Sequence, residues 1–433
     1  MEKNSITNPS LKYNDNSQLH YAIKCTGCGS MLSPNALTCP SDDGLPRTIY
    51  KSIKLQLHNH PGIGRFRGWL PVNSSMNTKA GPITYKSIGL AKELNLTNLY
   101  ICFNGYWPEK QANILTCSFK ELEAYPTLQR MEEFENCRKL VLASAGNTGR
   151  AFAHAAADSN IDVYIIVPNS GMDRMWIPKE ATNNIHFISM AKSFDYTDAI
   201  KIADKIACLP DMIAEGGARN VARRDGMGTV MLDGAVTMGR IPDHYFQAIG
   251  SGTGGIAAWE ACMRLQADGR FGNHISKLHL AQNLPFAPIF DAWQKGNREI
   301  NKEIDESNLK QQIDQMYADI LSNRKPPYSI AGGVYDALSH SNGHAYAIDN
   351  SMAKSCKSIF EMAEGIDIMA PAAVGVASLV EAVEKGIVKS DDYILLNITG
   401  GGVKRLKEDF NICKIKPESH IDSMNVEIKN LIL

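Results

Sequence analysis

The stretch YFQAIGSGTGGIAAW, residues 245–259, decides the fold class, because an apolar run passes through a glycine loop into an apolar helix pattern. Tyr245 to Ile249 is short and rich in large apolar residues, which is typical of a buried parallel strand. The glycines between Gly250 and Gly255 let backbone N–H groups approach an anion, and the start of a helix adds a favourable dipole. The pattern predicts a phosphate-binding loop, although a tight turn without a ligand has the same pattern.

The same loop also has the Gly-x-Gly-x-x-Gly spacing of a dinucleotide site, with Asp268 lying 18 residues beyond Gly250. No Lys-Ser or Lys-Thr pair follows the loop, so it is not a Walker A loop. A dinucleotide fingerprint is expected in the first turn of a nucleotide-binding half, whereas this loop lies past the middle of the chain. Because the spacing matches, a nicotinamide-dependent dehydrogenase stays an alternative. That alternative gives no role to the lysine segment described below.

Two further loops of small residues follow strand candidates. Ser144-Ala145-Gly146-Asn147-Thr148-Gly149 comes after Lys139 to Ala143, and Thr399-Gly400-Gly401-Gly402 comes after Tyr393 to Ile398. A helix cap explains the first loop equally well, because Ser, Thr and Asn satisfy the free N–H groups of a first turn. Thr399 can offer its hydroxyl to a ligand or sit in an ordinary buried turn.

Lys120 lies in the segment Thr116-Cys117-Ser118-Phe119-Lys120-Glu121, ahead of a helical pattern. A lysine beside an apolar aromatic residue can lose charge through desolvation and become a nucleophile toward a carbonyl group. A solvated lysine at the start of a helix is the alternative.

Short apolar runs alternate with helix-length amphipathic stretches along the chain, which predicts an α/β fold with a mostly parallel sheet. The remaining strand candidates are Leu99 to Phe103, Val163 to Val167 and His186 to Ser189. Helices are predicted over Ile83 to Leu94, Arg150 to Asp158, Tyr196 to Ala207 and Ile256 to Ala267. The polar stretch Asn297 to Asn323 is predicted to be a surface excursion or an insertion.

Composition excludes several classes of protein. The chain has 433 residues, 44% of them hydrophobic and 21% charged, which indicates two or three ordinary globular domains. A net charge of −1 argues against a general nucleic-acid binder. No apolar run reaches the roughly 20 residues of a membrane-spanning helix, and the polar N-terminus lacks the apolar core of a signal peptide. We therefore expect a cytoplasmic protein whose partners are small molecules rather than nucleic acid or a membrane.

Together the four segments resemble the fold-type II pyridoxal-phosphate enzymes, and within them the threonine synthase group, in the same chain order. The resemblance implies that Lys120 bonds to the cofactor pyridoxal 5'-phosphate and is the catalytic residue. It also implies that the Asn147 loop contacts the 3′-oxygen of the ring and that Thr399 lies at the pyridine nitrogen. The implied phosphate-binding residues are Gly250, Ser251, Gly252, Thr253 and Gly254.

The same resemblance implies two open α/β domains, as in the tryptophan synthase β subunit, with the cofactor in the cleft between them. We predict a polar tail at 1–20, a degenerate zinc-ribbon-like segment at 21–50, a large domain at 51–115 and 215–433, and a small domain at 116–214. We also expect a homo-oligomer.

The lysine segment departs from the threonine synthase pattern. Cys117-Ser118-Phe119-Lys120-Glu121-Leu122-Glu123 stands where those enzymes read Gly-Ser-Phe-Lys-Asp-Arg-Gly. It resembles a paralogous group of methanogenic archaea that serves coenzyme M synthesis. That resemblance implies β-replacement, in which O-phospho-L-serine and sulfite give L-cysteate and phosphate. Threonine synthesis from O-phospho-L-homoserine is the alternative.

Phosphate and sulfite are both anions, so the pocket needs local positive charge. The candidates are Arg150, Arg219, Arg223 and Arg224, with Arg219 and Arg223 one turn apart if they share a helix. A solvated basic face explains the same pattern, and the sequence does not choose among the four.

Cys25-Thr26-Gly27-Cys28-Gly29 has the spacing of a zinc knuckle, and Cys39 follows 11 residues after Cys28. A closed zinc site needs four ligands, and Ser41, Asp42 and Asp43 stand where a fourth cysteine is expected. The segment is either a degraded ribbon or a three-cysteine site completed by Asp42 or a histidine. The sequence prediction is that no metal is bound, with Cys25, Cys28 and Cys39 as the candidate ligands. A non-enzymatic ribbon protein does not need nearly 400 further residues.

Overall fold

The computed structural model describes residues 19–134, 138–300 and 306–431, and its strands form two large, mostly parallel sheets and three small ones. The predicted tail at 1–20 lies outside the described residues except for its last two positions. The strands, in chain order, are β1 (Tyr21–Cys25), β2 (Met31–Leu32), β3 (Pro46–Tyr50), β4 (Ile83–Lys86), β5 (Asn98–Phe103), β6 (Tyr106–Trp107), β7 (Ala112–Asn113), β8 (Lys139–Ala143), β9 (Asp162–Val167), β10 (Trp176–Ile177), β11 (Ile185–Met190), β12 (Met212–Ala214), β13 (His244–Ala248), β14 (Lys277–Asn283), β15 (His344–Ile348), β16 (Tyr393–Ile398), β17 (Cys413–Lys414) and β18 (Ser419–Ile421).

The α-helices lie mostly between consecutive strands, as the alternating pattern predicts. In chain order they are α1 (Gly89–Glu93), α2 (Glu121–Glu132), α3 (Asn147–Ala156), α4 (Tyr196–Ala207), α5 (Val221–Met238), α6 (Thr253–Asp268), α7 (Pro288–Gln294), α8 (Glu306–Asp314), α9 (Val334–His340), α10 (Asn350–Glu364), α11 (Ala370–Glu384) and α12 (Val403–Asp409). None of the described helices is long and apolar enough to cross a bilayer.

The larger sheet has the strand order β15-β14-β13-β16-β5-β4. All its pairs are parallel except β4 with β5. Its central strands are buried along nearly their whole length, as expected where helices cover both faces. The second sheet has the order β12-β8-β9-β11-β18 and is parallel throughout. The chain thus has two α/β units, each built on its own sheet.

The helix prediction for Ile83 to Leu94 is wrong over its first part. Ile83–Lys86 forms the strand β4, which pairs antiparallel with β5, and only Gly89–Glu93 is helical. β-branched and aromatic residues at Ile83, Thr84 and Tyr85 suit a pleated edge strand. The pairing with β5 decides the conformation of residues 83–86. The spacing of apolar residues along the sequence gives no information about this pairing.

The strands of the two large sheets come from different ranges of the chain. Strands of the larger sheet all come from 51–115 and 215–433, while β8, β9, β11 and β12 come from 116–214. The C-terminal strand β18 lies at the edge of the second sheet, although the prediction placed it in the large domain. β17 likewise pairs with β10 of the smaller range. Such short strands give almost no sequence signal.

The N-terminal segment forms a separate antiparallel sheet with the order β2-β1-β3. It packs on helix α5 through the buried carboxylate of Asp225, which accepts hydrogen bonds from the hydroxyls of Thr48 and Tyr50. Arg47 also pairs with Glu260 of α6, at 2.9 Å between Nε and Oε1. The segment predicted as ribbon-like therefore packs against helices α5 and α6 of the α/β unit that contains the larger sheet.

Candidate active site

A cavity of about 110 Å³ lies beside the carboxyl ends of strands from both sheets. Its lining includes Ser144 after β8, Ile249 after β13 and Thr399 after β16. Ligands of open α/β sheets bind at such strand ends. The structure brings every predicted site residue to this cavity, namely Lys120, Asn147, Gly250, Ser251, Gly252, Thr253, Gly254 and Thr399.

The lysine segment is held against the loop that follows β16. The N–H of Phe119 donates to the carbonyl of Thr399 at 3.0 Å, and the N–H of Gly401 donates to the carbonyl of Cys117 at 3.2 Å. Cys117 has a φ of +53°, which is uncommon for a residue with a side chain. A Cβ added at Gly400 would lie 2.6 Å from the Cys117 carbonyl oxygen. Glycine at 400 therefore permits the close approach that sets Lys120 at the cavity.

The amine of Lys120 lies inside a network of buried charges. Its Nζ is 3.3 Å from Glu123 Oε2, and the same oxygen is 3.1 Å from Arg223 Nε. Arg223 also donates a hydrogen bond from Nη1 to Glu215 at 2.7 Å. Burial lowers the pKa of Lys120 below its ordinary value, and this effect exceeds the opposing attraction of Glu123. A lysine in these surroundings gives up its proton more readily than a solvated one.

The Ser144 loop is shaped by its own side chains. Ser144 Oγ accepts hydrogen bonds from the N–H groups of Gly146 and Gly149, at 2.9 and 2.7 Å. Gly146 has a φ of +133°, where a glycine is required, and α3 begins at Asn147. The Asn147 side chain accepts from Arg150 at 3.0 Å, so its amide is fixed in orientation at the cavity wall. Both predicted roles of this loop, the cap and the ligand wall, are compatible with this geometry.

The glycine loop after β13 leads directly into α6. Gly252 has a φ of +82°, and a Cβ there would lie 2.3 Å from Val334 Cγ2. A Cβ at Gly254 would lie 2.3 Å from the Gln247 side-chain nitrogen. Ser251 and Thr253 bring their hydroxyls together at 2.8 Å. The loop thus offers backbone N–H groups and two hydroxyls at a helix N-terminus, which is a cradle for a phosphate group.

Of the four arginines proposed from the sequence, only Arg223 lines this cavity. Arg150 is 1% exposed and its guanidinium lies over the Trp176 ring at 4.3 Å. Arg224 is equally buried and pairs with Glu260 at 2.9 Å. Arg219 belongs to a short 3-10 turn that ends before α5 begins, so it does not share a helix with Arg223 as the spacing suggested.

Sequence reasoning missed several parts of the cavity wall. Tyr196, Met369 and Pro371 line it without belonging to any motif. The end of the polar stretch predicted as a surface excursion also reaches the cavity, through residues 320–323. Arg174 anchors this segment by pairing with Asp319 at 2.6 Å. These contacts join residues far apart in the chain, and no local signal could have shown them.

Behind the lysine segment, the buried carboxylate of Glu121 accepts two hydrogen bonds from Thr116, both at 2.8 Å. Burial nevertheless raises the pKa of Glu121 from 4.5 to about 7. The imidazole of His154 lies 3.8 Å away, and burial lowers its pKa to about 3, so it stays neutral near pH 7. Glu121 therefore gains a proton within the neutral range without a cationic partner in contact.

This raised pKa predicts a pH dependence of stability. Since the folded-state pKa of Glu121 exceeds the unfolded one, its contribution is complete below about pH 4.5 and is lost as the pH rises through about 7. We expect the free energy of unfolding of the wild type, measured against Glu121→Gln by urea denaturation, to fall by about 3 kcal/mol across that window. A difference that stays constant with pH contradicts the assignment.

The residues present fit the pyridoxal phosphate that the resemblance implies. The glycine cradle suits its phosphate, because side chains are absent where Val334 and Gln247 approach. The amine of Lys120, the amide of Asn147 and the hydroxyl of Thr399 line the same cavity. Asp268, the acid of the dinucleotide alternative, lies at the far end of α6 and pairs with Arg270 at 2.6 Å. It is therefore about 24 Å along the helix from the loop.

Comparisons with known proteins agree with this geometry. The model of the family described as "Pyridoxal-phosphate dependent enzyme" matches residues 107–400. Cysteate synthase of Methanosarcina acetivorans is 57% identical over 414 residues, covering 95% of this chain and 99% of the relative. Cysteate synthase of Methanocella paludicola is 51% identical over 413 residues, covering 95% and 96%.

A solved structure shows the shared fold. The fungal L-serine ammonia-lyase from Rhizomucor miehei matches with a TM-score of 0.53 at 15% identity, over 76% of this chain and 100% of that one. The predictions of a fold-type II architecture and of pyridoxal 5'-phosphate as cofactor are confirmed. The family match and the full-length relatives lead to one conclusion: the chain belongs to the pyridoxal-phosphate dependent enzymes and, within them, to the cysteate synthases.

Proposed function

We propose that this enzyme replaces the phosphate of O-phospho-L-serine by sulfite, giving L-cysteate and inorganic phosphate for coenzyme M synthesis. The Cβ–O bond of the substrate breaks, phosphate leaves with the electron pair, and a Cβ–S bond forms with sulfite. The name shared by the full-length relatives supports this product. The lysine segment from Cys117 to Glu123, which departs from the threonine synthase pattern, supports the same choice.

Bound pyridoxal phosphate supplies the electron sink for loss of the Cα proton and of the β-substituent. In the proposal Lys120 attaches the cofactor, then takes the Cα proton at Nζ as a general base. The lowered pKa of Lys120 favours the unprotonated amine that both roles need. Glu123, which lies 3.3 Å from Nζ and is itself paired with Arg223, orients this amine within the cavity.

The other predicted residues hold the cofactor in this proposal. Backbone N–H groups from Gly250 to Gly254, with the hydroxyls of Ser251 and Thr253, bind its phosphate. Asn147 contacts the ring oxygen, with its amide oriented by Arg150. The neutral hydroxyl of Thr399 would lie at the pyridine nitrogen without holding it protonated, which suits elimination and replacement rather than decarboxylation or transamination.

One observation carries the proposal. Among the described residues that line this cavity, Lys120 is the one lysine, and it meets the glycine cradle, Asn147 and Thr399 there although these lie in four separate parts of the chain. A dehydrogenase gives Lys120 no role beside its phosphate loop, and a ribbon-type binding protein needs no such cavity. The convergence supports covalent cofactor chemistry at Lys120.

The test is the release of phosphate from O-phospho-L-serine and from O-phospho-L-homoserine, each with and without sulfite, with the products identified by mass spectrometry. We expect sulfite-dependent L-cysteate from O-phospho-L-serine and at least a tenfold lower rate without sulfite. Threonine from O-phospho-L-homoserine, with no L-cysteate, would show that the substrate assignment is wrong and that the chain acts as a threonine synthase.

Self-association and a cytoplasmic location are the remaining parts of the proposal. The side chains of Ile88 and Met362 are 84% and 79% exposed, and the residues that follow them in the chain, Gly89 and Ala363, pack against each other. An apolar pair of this kind suits a contact between subunits, and light scattering of the purified enzyme measures its oligomeric state. The cysteines of the described residues are free thiols, as in a reducing compartment.

A further inference from the structure

The ribbon-like N-terminal segment gathers three thiols at one point. Cys25 ends β1, Cys28 follows in the turn, and Cys39 lies beyond β2. The sulfurs of Cys28 and Cys39 are 3.5 Å apart, and all three sulfurs lie within 4.8 Å of one another. Cys25 and Cys39 are buried, while Cys28 faces solvent. Three thiols so placed leave room for one metal ion between them.

A carboxylate lies beside the first cysteine of this cluster. Asp42 Oδ1 lies 3.7 Å from the sulfur of Cys25 and also accepts a hydrogen bond from the N–H of Gly44. A Cβ at Gly27 would lie 1.9 Å from this oxygen, and one at Gly44 would lie 2.7 Å from it. Only glycine at both positions leaves space for the carboxylate. The backbone is therefore built to bring Asp42 next to Cys25.

The Cys28–Cys39 and Cys25–Asp42 separations suit a tetrahedral zinc ion. Zinc bonds to thiolate sulfur at about 2.3 Å and to carboxylate oxygen at about 2.0 to 2.2 Å, so neighbouring ligand atoms lie roughly 3.5 to 3.8 Å apart. The Cys28–Cys39 distance of 3.5 Å and the Cys25–Asp42 distance of 3.7 Å fall in that interval or at its edge, while the Asp42 carboxylate lies outside the group in which the three sulfurs are within 4.8 Å of one another. The Asp42 side chain therefore has to turn toward Cys28 and Cys39 to complete the site. We propose that Cys25, Cys28, Cys39 and Asp42 bind one Zn²⁺ ion in a closed structural site. The prediction of no metal, made from the missing fourth cysteine, is then replaced by its alternative.

The metal would brace the wall of a second cavity. The loop between Cys28 and Cys39 contributes Ser33 and residues 35–38 to the lining of a wider cavity of about 790 Å³. That cavity shares Tyr196, Arg223 and Ser251 with the cofactor cavity, so the two adjoin. Closing this loop with an ion that ties its two ends restricts its motion.

One contact links this loop to the residues around the catalytic lysine. Leu37, in the same loop, packs on Gly216, where an added Cβ would lie 2.7 Å from Leu37 Cδ2. The next residue back along the chain, Glu215, is the carboxylate that pairs with Arg223. The zinc site therefore supports the side of the molecule that positions Arg223 at the cofactor cavity.

The first test measures zinc in the purified enzyme by mass spectrometry, after equilibration with Zn²⁺ under reducing conditions and dialysis. We expect about one zinc per chain in the wild type and at least a tenfold lower content in Cys25→Ser and in Cys39→Ser. Cys208→Ser is the matched control, because Cys208 is an exposed thiol outside the cluster, and it should keep its zinc. A wild type with less than about a tenth of an ion per chain overturns the proposal, as do cluster variants that keep the metal.

A second set of measurements begins with the wild type, so that a folding defect of the cysteine variants does not affect the result. Replacing zinc by Co²⁺ should give the intense visible d–d bands of a tetrahedral thiolate site, and octahedral bands would overturn the assignment. Asp42→Asn should bind zinc at least tenfold more weakly, and unchanged affinity would remove Asp42 from the ligand set. Stripping zinc with a chelator should speed amide hydrogen exchange in residues 28–40 at least tenfold, and unchanged exchange contradicts the bracing role.

Discussion

Replacing Lys120 by alanine should lower the turnover of the enzyme by at least about 100-fold, and up to about 10,000-fold, because a general base contributes this much to a proton transfer. The loss should be larger than the loss in substrate affinity, since Nζ acts on the reacting atoms and the rest of the cavity is unchanged. The fold should survive, because the Lys120 side chain is only partly buried and its segment is held by backbone bonds to the Thr399 loop.

The measurement combines kinetics with the visible spectrum of the enzyme with its cofactor. Lys120→Ala should lack the yellow absorption that hydroxylamine bleaches in the wild type. Lys92→Ala is the control, since Lys92 is an exposed lysine on α1, and it should keep both the spectrum and the activity. Turnover within a few-fold of the wild type in Lys120→Ala would show that another group attaches the cofactor.

Replacing Arg223 by methionine should destabilise the protein by about 3 to 5 kcal/mol, the usual result of removing one partner from a buried ion pair. Its guanidinium lies between Glu123 and Glu215, which are 0% and 6% exposed. Burial opposes the charge on Arg223, but the two carboxylates outweigh it and raise the pKa of the guanidinium. Without Arg223, Glu215 is left buried without its cation, and Glu123 keeps only Lys120.

Urea denaturation near pH 7 measures this effect, with Arg219→Met as the matched control. Arg219 is partly exposed and its side chain donates a long hydrogen bond of 3.4 Å to the Asp43 carbonyl, so its loss should cost less than about 1 kcal/mol. Adding Glu215→Gln to Arg223→Met should restore part of the stability, because one uncompensated charge is then removed. A cost below about 1 kcal/mol for Arg223→Met would mean that water reaches this network.

The sequence by itself determined the parts of this protein that depend on local chemistry. The strand-loop-helix units at Ser144, Gly250 and Thr399 were predicted because apolar runs, glycines and cap residues favour particular local conformations. The helix over Tyr196 to Ala207 and the strand from Tyr393 to Ile398 have the predicted bounds. The four segments together pointed to the family, and the lysine segment pointed to the group within it. These signals lie within a few neighbouring residues.

Only the tertiary structure decided the contacts between distant segments. The strand Ile83–Lys86 forms because β5 pairs with it, and Ser419–Ile421 joins the second sheet through β11. Glu215 and Arg223 become the surroundings of Lys120 only when α2 and α5 pack together. Asp42 lies next to Cys25 because Gly27 and Gly44 leave space for its carboxylate. Such arrangements depend on which apolar surfaces pack against each other and so leave water. That packing is a property of the folded chain rather than of any local stretch.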